Sequence, residues 1–411
     1  MVYQSPVGAR DLLPLDVVQK RWIEERLQQV FRRWGYHRII TSSLERLDTL
    51  MAGGAIQPST VLRVQSSEDE DLGLRPELTA SIARTVVTRM AGVTHPLRLY
   101  YNANVFRRAQ DNSHNRQQEF YQAGVELLGV GGLLADAETL LLIMDCLQTL
   151  GLQQWSIVLG DAGLTRSLLS PFPESLQAKV RTAIANLDRV ALETLPMSDE
   201  LRDRSLLLLD LRGEPETVLQ RVASLDLKPA QRASLNNLKS LIELLSTTHP
   251  TPHTPHPTPH TLLLDLSLIQ SLDYYTGIVF EVVSHPPSGI QVLGQGGRYD
   301  QLLGLYDPQG KTYPGIGFAL HIEHLHQVLL STGQLPQQPP NSDWLIVPET
   351  AQAYPAALAY AQNLRMTNDH LRVELELGSR TPSEVYDYAR HRLIPQIAWI
   401  QDSGEAKVER V

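Results

Sequence analysis

An amide and a carboxylate between residues 119 and 129 are the side chains best placed to bind a ligand. The segment, EFYQAGVELLG, alternates apolar and polar residues, which predicts a half-buried β-strand. With a period of two, Gln122, Gly124 and Glu126 lie on one face of that strand. If this face is buried, its polar groups need partners, and a small polar ligand could supply them. An ammonium would suit Gln122, and an imidazole N–H would suit Glu126. The alternative is a face exposed to solvent.

A second candidate is the glycine-rich segment from Gly294 to Asp300, GQGGRYD. Its glycines would let the backbone approach a ligand or a neighbouring strand closely, and Arg298 could bind a phosphate or a carboxylate. The segment is not a P-loop, because no Gly-Lys-Ser/Thr follows, and it lacks the third glycine of the dinucleotide-binding fingerprint. By itself it is more typical of a structural turn, and we expect a turn here.

Two adjacent tyrosines, Tyr274 and Tyr275, follow an acid and precede an apolar strand. Neighbouring residues on a strand face opposite sides, so one ring can line a cavity while the other packs. Packing of both rings in the core is the alternative. Glu77, in the segment LRPELT, is a further acid in a turn-like context.

The composition is that of an ordinary globular protein of 411 residues, with 42% hydrophobic and 20% charged residues. The formal charge of −9 argues against a broad nucleic-acid-binding surface. The single cysteine, Cys146, excludes an intramolecular disulfide and a zinc site built on several thiolates. No apolar run approaches the roughly 20 residues that span a bilayer, and the N-terminus shows no signal-peptide pattern. We therefore expect a cytoplasmic protein without membrane contact.

The order of the predicted elements favours an antiparallel sheet. Helical periodicity covers 17–34, 76–91 and 133–150. Strands are predicted at 36–40, 60–65, 71–76, 97–106, 119–129 and 155–160. Because several strands follow one another directly, an α+β domain is favoured over alternating βαβ units.

The chain is expected to have four parts. Residues 1–163 and 261–335 would form the core, and the Leu-rich segment 164–247 a helical insertion. Residues 248–260 alternate proline with His and Thr, which predicts an extended, exposed linker. Residues 342–411 alternate strands and helices, which predicts a small C-terminal α/β module. The four histidines of the linker lack a fixed coordination geometry, so we expect no functional metal site.

Five motifs occur in an order that matches a known family. They are Leu74–Glu77, Phe106–Arg107 with Glu119–Gly129, Leu272–Tyr275 with Val279–Glu281, Gly296–Asp300, and Gly315–Leu325. On these motifs the chain resembles histidyl-tRNA synthetase over roughly residues 5–330, and more loosely beyond. The resemblance implies a class II aminoacyl-tRNA synthetase-like fold: a six-stranded antiparallel sheet flanked by helices, a helical insertion, and a dimer through the region of the first helix.

The sequence departs from the family at four motif positions, three of which would act on ATP. Gln270 and His324 replace two arginines, Ala109 replaces the acid that meets the adenine, and Ser42 replaces a proline. Activation of an amino acid builds negative charge around phosphorus, which fixed guanidinium groups stabilise. An amide carries no charge, and an imidazole is mostly neutral near pH 7. Losing one aligned donor commonly costs about 10²–10³ in rate, so we expect little or no adenylate formation.

The positions that would bind the amino acid are intact. The resemblance implies that Glu77, Thr79 and Gln122 face the α-ammonium and that Arg107 faces the carboxylate. It implies that Glu126 and Tyr275 face the imidazole, with Tyr274 nearby.

A histidine-shaped pocket without the phosphate machinery resembles the synthetase-like regulatory subunit of ATP phosphoribosyltransferase. That resemblance implies a non-catalytic subunit that partners the short catalytic enzyme in the first step of histidine biosynthesis and mediates its feedback inhibition by histidine. It implies no catalytic residue, cofactor, metal or nucleic-acid ligand in this chain. Two alternatives stay open. One is a divergent histidyl-tRNA synthetase with compensating cations at Arg108, Arg116 or Lys311, and the other is a free-standing histidine-binding paralogue.

Overall fold

The computed structural model describes residues 5–54, 56–65, 70–108, 117–248, 260–268, 275–286, 289–378 and 380–411. Ala109, Arg116, Gln270 and Tyr274 lie outside the described residues, as does nearly all of the predicted linker at 248–260.

The secondary structure of the described residues comprises sixteen strands, fourteen α-helices and two 3₁₀ turns. The strands are β1 (His37–Arg38), β2 (Leu44–Arg46), β3 (Arg63–Val64), β4 (Leu72–Leu74), β5 (Leu97–Phe106), β6 (Glu119–Leu128), β7 (Trp155–Asp161), β8 (Arg212–Gly213), β9 (His260–Asp265), β10 (Ile278–Ser284), β11 (Gln291–Arg298), β12 (Gly315–His321), β13 (Trp344–Pro348), β14 (Val373–Leu375), β15 (Gln396–Ile400) and β16 (Ala406–Arg410). The α-helices are α1 (Pro14–Arg33), α2 (Leu47–Met51), α3 (Thr79–Arg89), α4 (Leu133–Thr149), α5 (Ala162–Leu169), α6 (Glu174–Ala185), α7 (Arg189–Thr194), α8 (Asp199–Leu209), α9 (Pro215–Ala223), α10 (Pro229–Thr248), α11 (Leu302–Tyr306), α12 (Ile322–Leu330), α13 (Tyr354–Thr367) and α14 (Pro382–His391). The 3₁₀ turns are Pro58–Thr60 and Ala351–Ala353.

The main sheet has an antiparallel centre. Among the described residues it contains nine strands in the order β1-β5-β6-β12-β11-β10-β7-β9-β8. The six strands from β5 to β7 in this order pair antiparallel throughout. β1 and β9 pair parallel with the two ends of that block, and β8 is antiparallel to β9. The six-stranded antiparallel sheet is therefore confirmed, with three further strands at its edges.

The first helix follows from its sequence. Pro14 occupies the first turn, where a missing N–H costs nothing, and the Asp16 carboxylate accepts a hydrogen bond from the Leu13 N–H at 3.0 Å. Ile23, Leu27 and Phe31 recur at helical spacing and are fully buried in the larger core. That core also contains Val125 of β6 and residues of α4 and α12, so these helices close one face of the sheet. The opposite face lies toward α3 and α11, with a smaller core between them.

The glycine-rich segment does not form the predicted turn. It makes up most of β11, between β10 and β12 in the main sheet. A Cβ at Gly296 would lie 2.7 Å from Cζ of Phe280, and a Cβ at Gly297 would lie 2.8 Å from Cδ1 of Tyr275. Glycine occurs here because aromatic rings pack directly on the strand, which a turn-based interpretation misses.

The chain divides into two compact units, Met1–Pro336 and Gln337–Val411. The second unit has a four-stranded sheet in the order β14-β13-β15-β16, in which the β13 pairs are parallel and the β15–β16 pair is antiparallel. In the first unit, β8 lies within the predicted helical insertion and pairs with β9 of the main sheet. The finer domain boundaries given above stay a prediction. No helix of the described residues has the length and apolar character needed to cross a bilayer.

Candidate functional site

The amide and the carboxylate of β6 lie on the face of the sheet that α3 covers. Gln122 is 3% exposed and Glu126 is 1% exposed. This face is therefore buried, and the alternative of a solvent-exposed face is wrong. Both side chains consequently need polar partners, because an unpaired polar group in the interior costs free energy.

Two glycines make room for the polar groups on this face. Gly317 of β12 stands opposite Glu126, and a Cβ there would overlap Oε2 of the carboxyl group. Gly124 of β6 stands opposite Tyr101 of β5, and a Cβ there would lie 2.7 Å from Cζ of the ring. The carboxyl group and the phenol can therefore lie directly against neighbouring strands, which only glycine allows.

Glu126 accepts hydrogen bonds at both oxygens. The Thr79 hydroxyl donates to Oε1 at 2.7 Å, and the Tyr299 hydroxyl donates to Oε2. Burial raises the pKa of Glu126 to about 8, which the two hydrogen bonds oppose and the nearby Glu77 carboxylate reinforces. A cation or an N–H donor placed beside this group would favour its carboxylate form.

Glu77 holds the start of α3. Its carboxylate accepts from the backbone N–H groups of Thr79, at 2.5 Å, and of Ala80, at 2.8 Å. These are orphan donors of the first helical turn, and an acid there also meets the positive end of the helix dipole. Burial raises the pKa of Glu77, while the helix N–H groups and the positive charge of Arg107 oppose the rise. The side chain thus fixes the start of the helix that carries Thr79.

Arg107 supplies the positive charge of the site. Its Nε donates to the carbonyl of Pro76 at 2.9 Å, which ties the guanidinium to the turn before α3. Burial lowers the pKa of Arg107, whereas the charges of Glu77 and Tyr101 raise it. An arginine remains charged at any physiological pH, so a buried anionic group of a ligand would find a cation here.

Two phenols complete the cluster. Burial raises the pKa of Tyr275, and the Glu126 and Glu77 carboxylates raise it further. The pKa of Tyr101 is raised by the same causes, with Arg107 opposing. Both rings are therefore protonated near pH 7.

The structure brings together all the predicted site residues that it describes. They are Glu77, Thr79, Arg107, Gln122, Glu126 and Tyr275. Tyr274 lies outside the described residues.

Sequence reasoning missed three residues of the cluster. Tyr299 lies within the GGRYD motif, which identified the segment but not the hydrogen bond to Glu126. Tyr101 could have been found only from the β5–β6 register, which places it opposite Gly124. His321 ends β12 opposite Gln122. Burial lowers the pKa of His321 to about 3, and the neighbouring His324 and Arg107 lower it too, so its ring is neutral near pH 7.

His324, at the position where the resemblance implies an arginine, is held by the backbone. Its Nδ1 lies 2.6 Å from the carbonyl oxygen of Val292. Because a carbonyl only accepts, Nδ1 carries the hydrogen. Its ring centroid lies 5.2 Å from that of His321. Two imidazoles thus stand where the third motif would place a glycine and an arginine, and neither has the fork of donors of a guanidinium.

Two other cations are engaged elsewhere. Arg298, which could have bound a phosphate, is 7% exposed and paired with Asp136 at 2.5 Å and with Asp300 at 3.0 Å. These two acids lie on α4 and just after β11, so the arginine joins two elements of the fold. Lys311, a candidate compensating cation, is exposed and lies 4.9 Å from the centroid of the Tyr313 ring.

Comparison with known sequences gives two levels of similarity. The family model described as histidyl-tRNA synthetase matches residues 8–325. A protein of Nostoc sp. (strain PCC 7120) named ATP phosphoribosyltransferase regulatory subunit is 64% identical over 411 residues, all of both chains. A protein of the same name from Nostoc punctiforme is 64% identical over 409 residues, all of this chain and 99% of the relative.

Solved structures of both kinds of protein match this chain over nearly its whole length. A structure described as an ATP phosphoribosyltransferase regulatory subunit/histidyl-tRNA synthetase from Bacillus halodurans is 25% identical, with a TM-score of 0.81 over 98% of this chain and 99% of that chain. Histidyl-tRNA synthetase from Nostoc sp. PCC 7120 is 20% identical, with a TM-score of 0.77 over 99% of this chain and 97% of that chain, which shows a shared fold.

Proposed function

The chain belongs to the histidyl-tRNA synthetase family and, within it, to the ATP phosphoribosyltransferase regulatory subunits, and on this premise we propose that it senses free histidine for a catalytic partner. It is a non-catalytic regulatory subunit that serves histidine biosynthesis. The partner is a catalytic ATP phosphoribosyltransferase of the short form. Bound histidine would signal that the pathway's product is abundant.

The observation that supports this proposal best is the environment of Glu126. A buried carboxyl group with two hydroxyl donors, from Thr79 and Tyr299, lies at one end of the site. An imidazole N–H placed beside Glu126 would favour its carboxylate form, which offers about four lone-pair positions, more than the two hydroxyl donors use. Gln122 lies four residues before Glu126 on β6, and Arg107 acts on His321, which stands opposite Gln122. At this end an amino acid would present its carboxylate and its ammonium.

Among the described residues, the two imidazoles of the third motif do not supply the fixed positive charge that amino-acid activation needs. His324 is bound to the Val292 carbonyl, and His321 is neutral near pH 7. Neither can place a permanent charge on a transferring phosphoryl group, which is where activating enzymes concentrate their stabilisation. The sequence agrees, because the chain is 64% identical to the regulatory subunit of Nostoc sp. PCC 7120 and 20% identical to the histidyl-tRNA synthetase of that organism.

Two further features belong to the proposal. We expect self-association through the region of α1, as in the family that the sequence resembles. We also expect a hetero-oligomer in the cytoplasm with the catalytic enzyme, without nucleic acid, metal or cofactor.

The experiment is a reconstitution. The chain is mixed with a purified short-form ATP phosphoribosyltransferase, and the activity is measured with and without histidine. The proposal predicts that the chain raises the activity and that histidine then inhibits it. If the activity were independent of the chain, or if the chain alone exchanged pyrophosphate into ATP in the presence of histidine, the proposal would be wrong.

A further inference from the structure

Two buried polar atoms at one end of the site have no partner among the described residues. They are Oε1 of Gln122 and Nε2 of His321. Gln122 and His321 are direct partners in the β6–β12 ladder, so their side chains lie side by side on one face of the sheet. Along the same face, Gly124 and Gly317 are buried, while Phe120 and Ala319 are half-buried. Two unpaired atoms at adjacent positions require an explanation, and a ligand that carries two polar groups on one carbon would supply a partner for each.

The chemistry of the two atoms is complementary. Oε1 of Gln122 only accepts hydrogen bonds, so it requires a donor such as an ammonium. The neutral ring of His321 has one N–H, and the positive charge of Arg107 is close enough to act on that ring. Among the described residues, the Arg107 side chain donates one hydrogen bond, from Nε to the Pro76 carbonyl oxygen, so its two terminal nitrogens remain for a ligand. With the N–H of His321 on Nε2, an anion placed there would meet donors from both side chains, and a carboxylate is the anion of matching shape.

We propose that His321 is a ligand-binding residue whose Nε2–H donates to the free carboxylate of a bound amino acid, beside the guanidinium of Arg107, while Gln122 accepts from its ammonium. The inference rests on the proposed function, because it takes histidine as the amino acid in the site. It adds a specificity: the pocket selects a free carboxylate. An amino acid whose carboxylate is reduced to an alcohol leaves the His321 donor without an anion.

A thermodynamic cycle separates this role from a structural one. L-histidine and L-histidinol, which carries a hydroxymethyl group in place of the carboxylate, are titrated into the full-length chain by calorimetry. The proteins are the wild type, His321→Phe, which keeps a ring without a donor, and His321→Gln, which keeps an N–H. Hydrogen bonds to charged groups contribute about tenfold to a hundredfold in affinity. We expect His321→Phe to lower the affinity for histidine by about tenfold or more and to change the affinity for histidinol by less than about twofold. In His321→Gln the affinity for histidine should be partly restored.

The matched control is His326→Phe. His326 is a second histidine of the same region, and its Nε2 lies 2.7 Å from Oε1 of Gln19, so it already has a partner. This variant should bind both ligands as the wild type does. If His321→Phe does not fold, His321→Met, which is flexible and has no N–H, replaces it in the cycle.

The outcomes distinguish the two proposals. If the wild type binds no histidine, the histidine pocket itself is wrong, and this inference falls with it. If the wild type binds histidine but His321→Phe weakens both ligands equally or neither, the pocket stands and the role of His321 is refuted.

Discussion

Gly317 of β12 stands opposite Glu126 of β6, and the carboxyl group of Glu126 occupies the space that a Cβ at Gly317 would need. The position of the carboxyl group is thus set by a missing side chain on the neighbouring strand. Thr79 on α3 and Tyr299 after β11 then hold its two oxygens. The position of this one carboxyl group therefore depends on four separate parts of the chain.

The first prediction concerns this glycine. Gly317→Ala should displace the Glu126 carboxyl group and press on the backbone of β6, since a Cβ would also meet the Val125 carbonyl oxygen. We expect histidine affinity to fall by at least about tenfold and stability to fall by about 1–3 kcal/mol, as for other overpacked sites. Calorimetric titration and urea unfolding measure the two effects. An alanine variant with wild-type affinity would show that Glu126 does not contact the ligand.

The second prediction concerns pH. Burial raises the pKa of Glu126 from 4.5 to about 8 in the folded chain. Between these values the unfolded chain ionises this residue while the folded chain keeps the proton, so the folded state binds more protons and loses stability as the pH rises. The loss ends above the folded pKa. Glu126→Gln cannot titrate and should escape this loss, which is on the order of a few kcal/mol.

Urea unfolding of both proteins at pH 5 and pH 8 tests this prediction. The stability of the wild type should fall more over that range than the stability of Glu126→Gln. The control is Glu214→Gln, at an exposed acid before α9, which should follow the wild type. Parallel pH profiles for wild type and Glu126→Gln would contradict the raised pKa.

The third prediction separates the two roles of Glu77. Glu77→Ala removes the acceptor for the Thr79 and Ala80 N–H groups at the start of α3, which should cost about 1 kcal/mol of stability. It should also weaken histidine binding, because α3 carries the Thr79 hydroxyl. Asp188→Ala is the matched control, since Asp188 caps α7 by accepting from the Ala191 N–H at 2.9 Å. It should cost similar stability and leave histidine affinity unchanged. Equal affinities in the two variants would limit Glu77 to a structural role.

The fourth prediction concerns the lost arginines. The double variant Gln270→Arg, His324→Arg should not catalyse histidine-dependent pyrophosphate exchange. The third motif also places the His321 ring in the site, and the family's acid is replaced by Ala109. Exchange is measured with an authentic histidyl-tRNA synthetase as the positive control. Exchange well above background in the double variant would contradict this prediction, because it would show that the two arginines are sufficient to restore histidine activation.

The fold was largely predictable because its strongest signals are local. The strand predicted at 97–106 is β5 with the same bounds, and the helix predicted at 133–150 is α4 to within one residue. Alternation with a period of two marks a strand with one buried face, and helical spacing marks a helix with one buried face. Both elements bury that face in the folded chain. The two-residue strand β8 carries too little sequence for such a pattern, and it was missed.

The errors arose where tertiary contacts override local propensity. Glycines at 294, 296 and 297 suggest a turn in isolation, yet they lie in a central strand. Leu320 packs on Gly294, Phe280 on Gly296 and Tyr275 on Gly297. Arg298 looked free to bind an anion, but its partner Asp136 is 162 residues away in sequence. The place of His321 beside Gln122 depends on strand register, which one sequence does not reveal.

The most direct test of the histidine-sensing pocket is the inhibition of the reconstituted enzyme by histidine when the regulatory chain carries Glu126→Gln. The account predicts that this variant still activates the catalytic subunit. The histidine concentration for half-inhibition should rise by about tenfold or more, because an amide cannot take up the negative charge that a bound imidazole N–H favours on Glu126. The enzyme reconstituted with Glu214→Gln should be inhibited at the same histidine concentration as the enzyme with the wild-type chain. Unchanged inhibition in Glu126→Gln, with activation intact, would place the inhibitory histidine elsewhere and contradict the account.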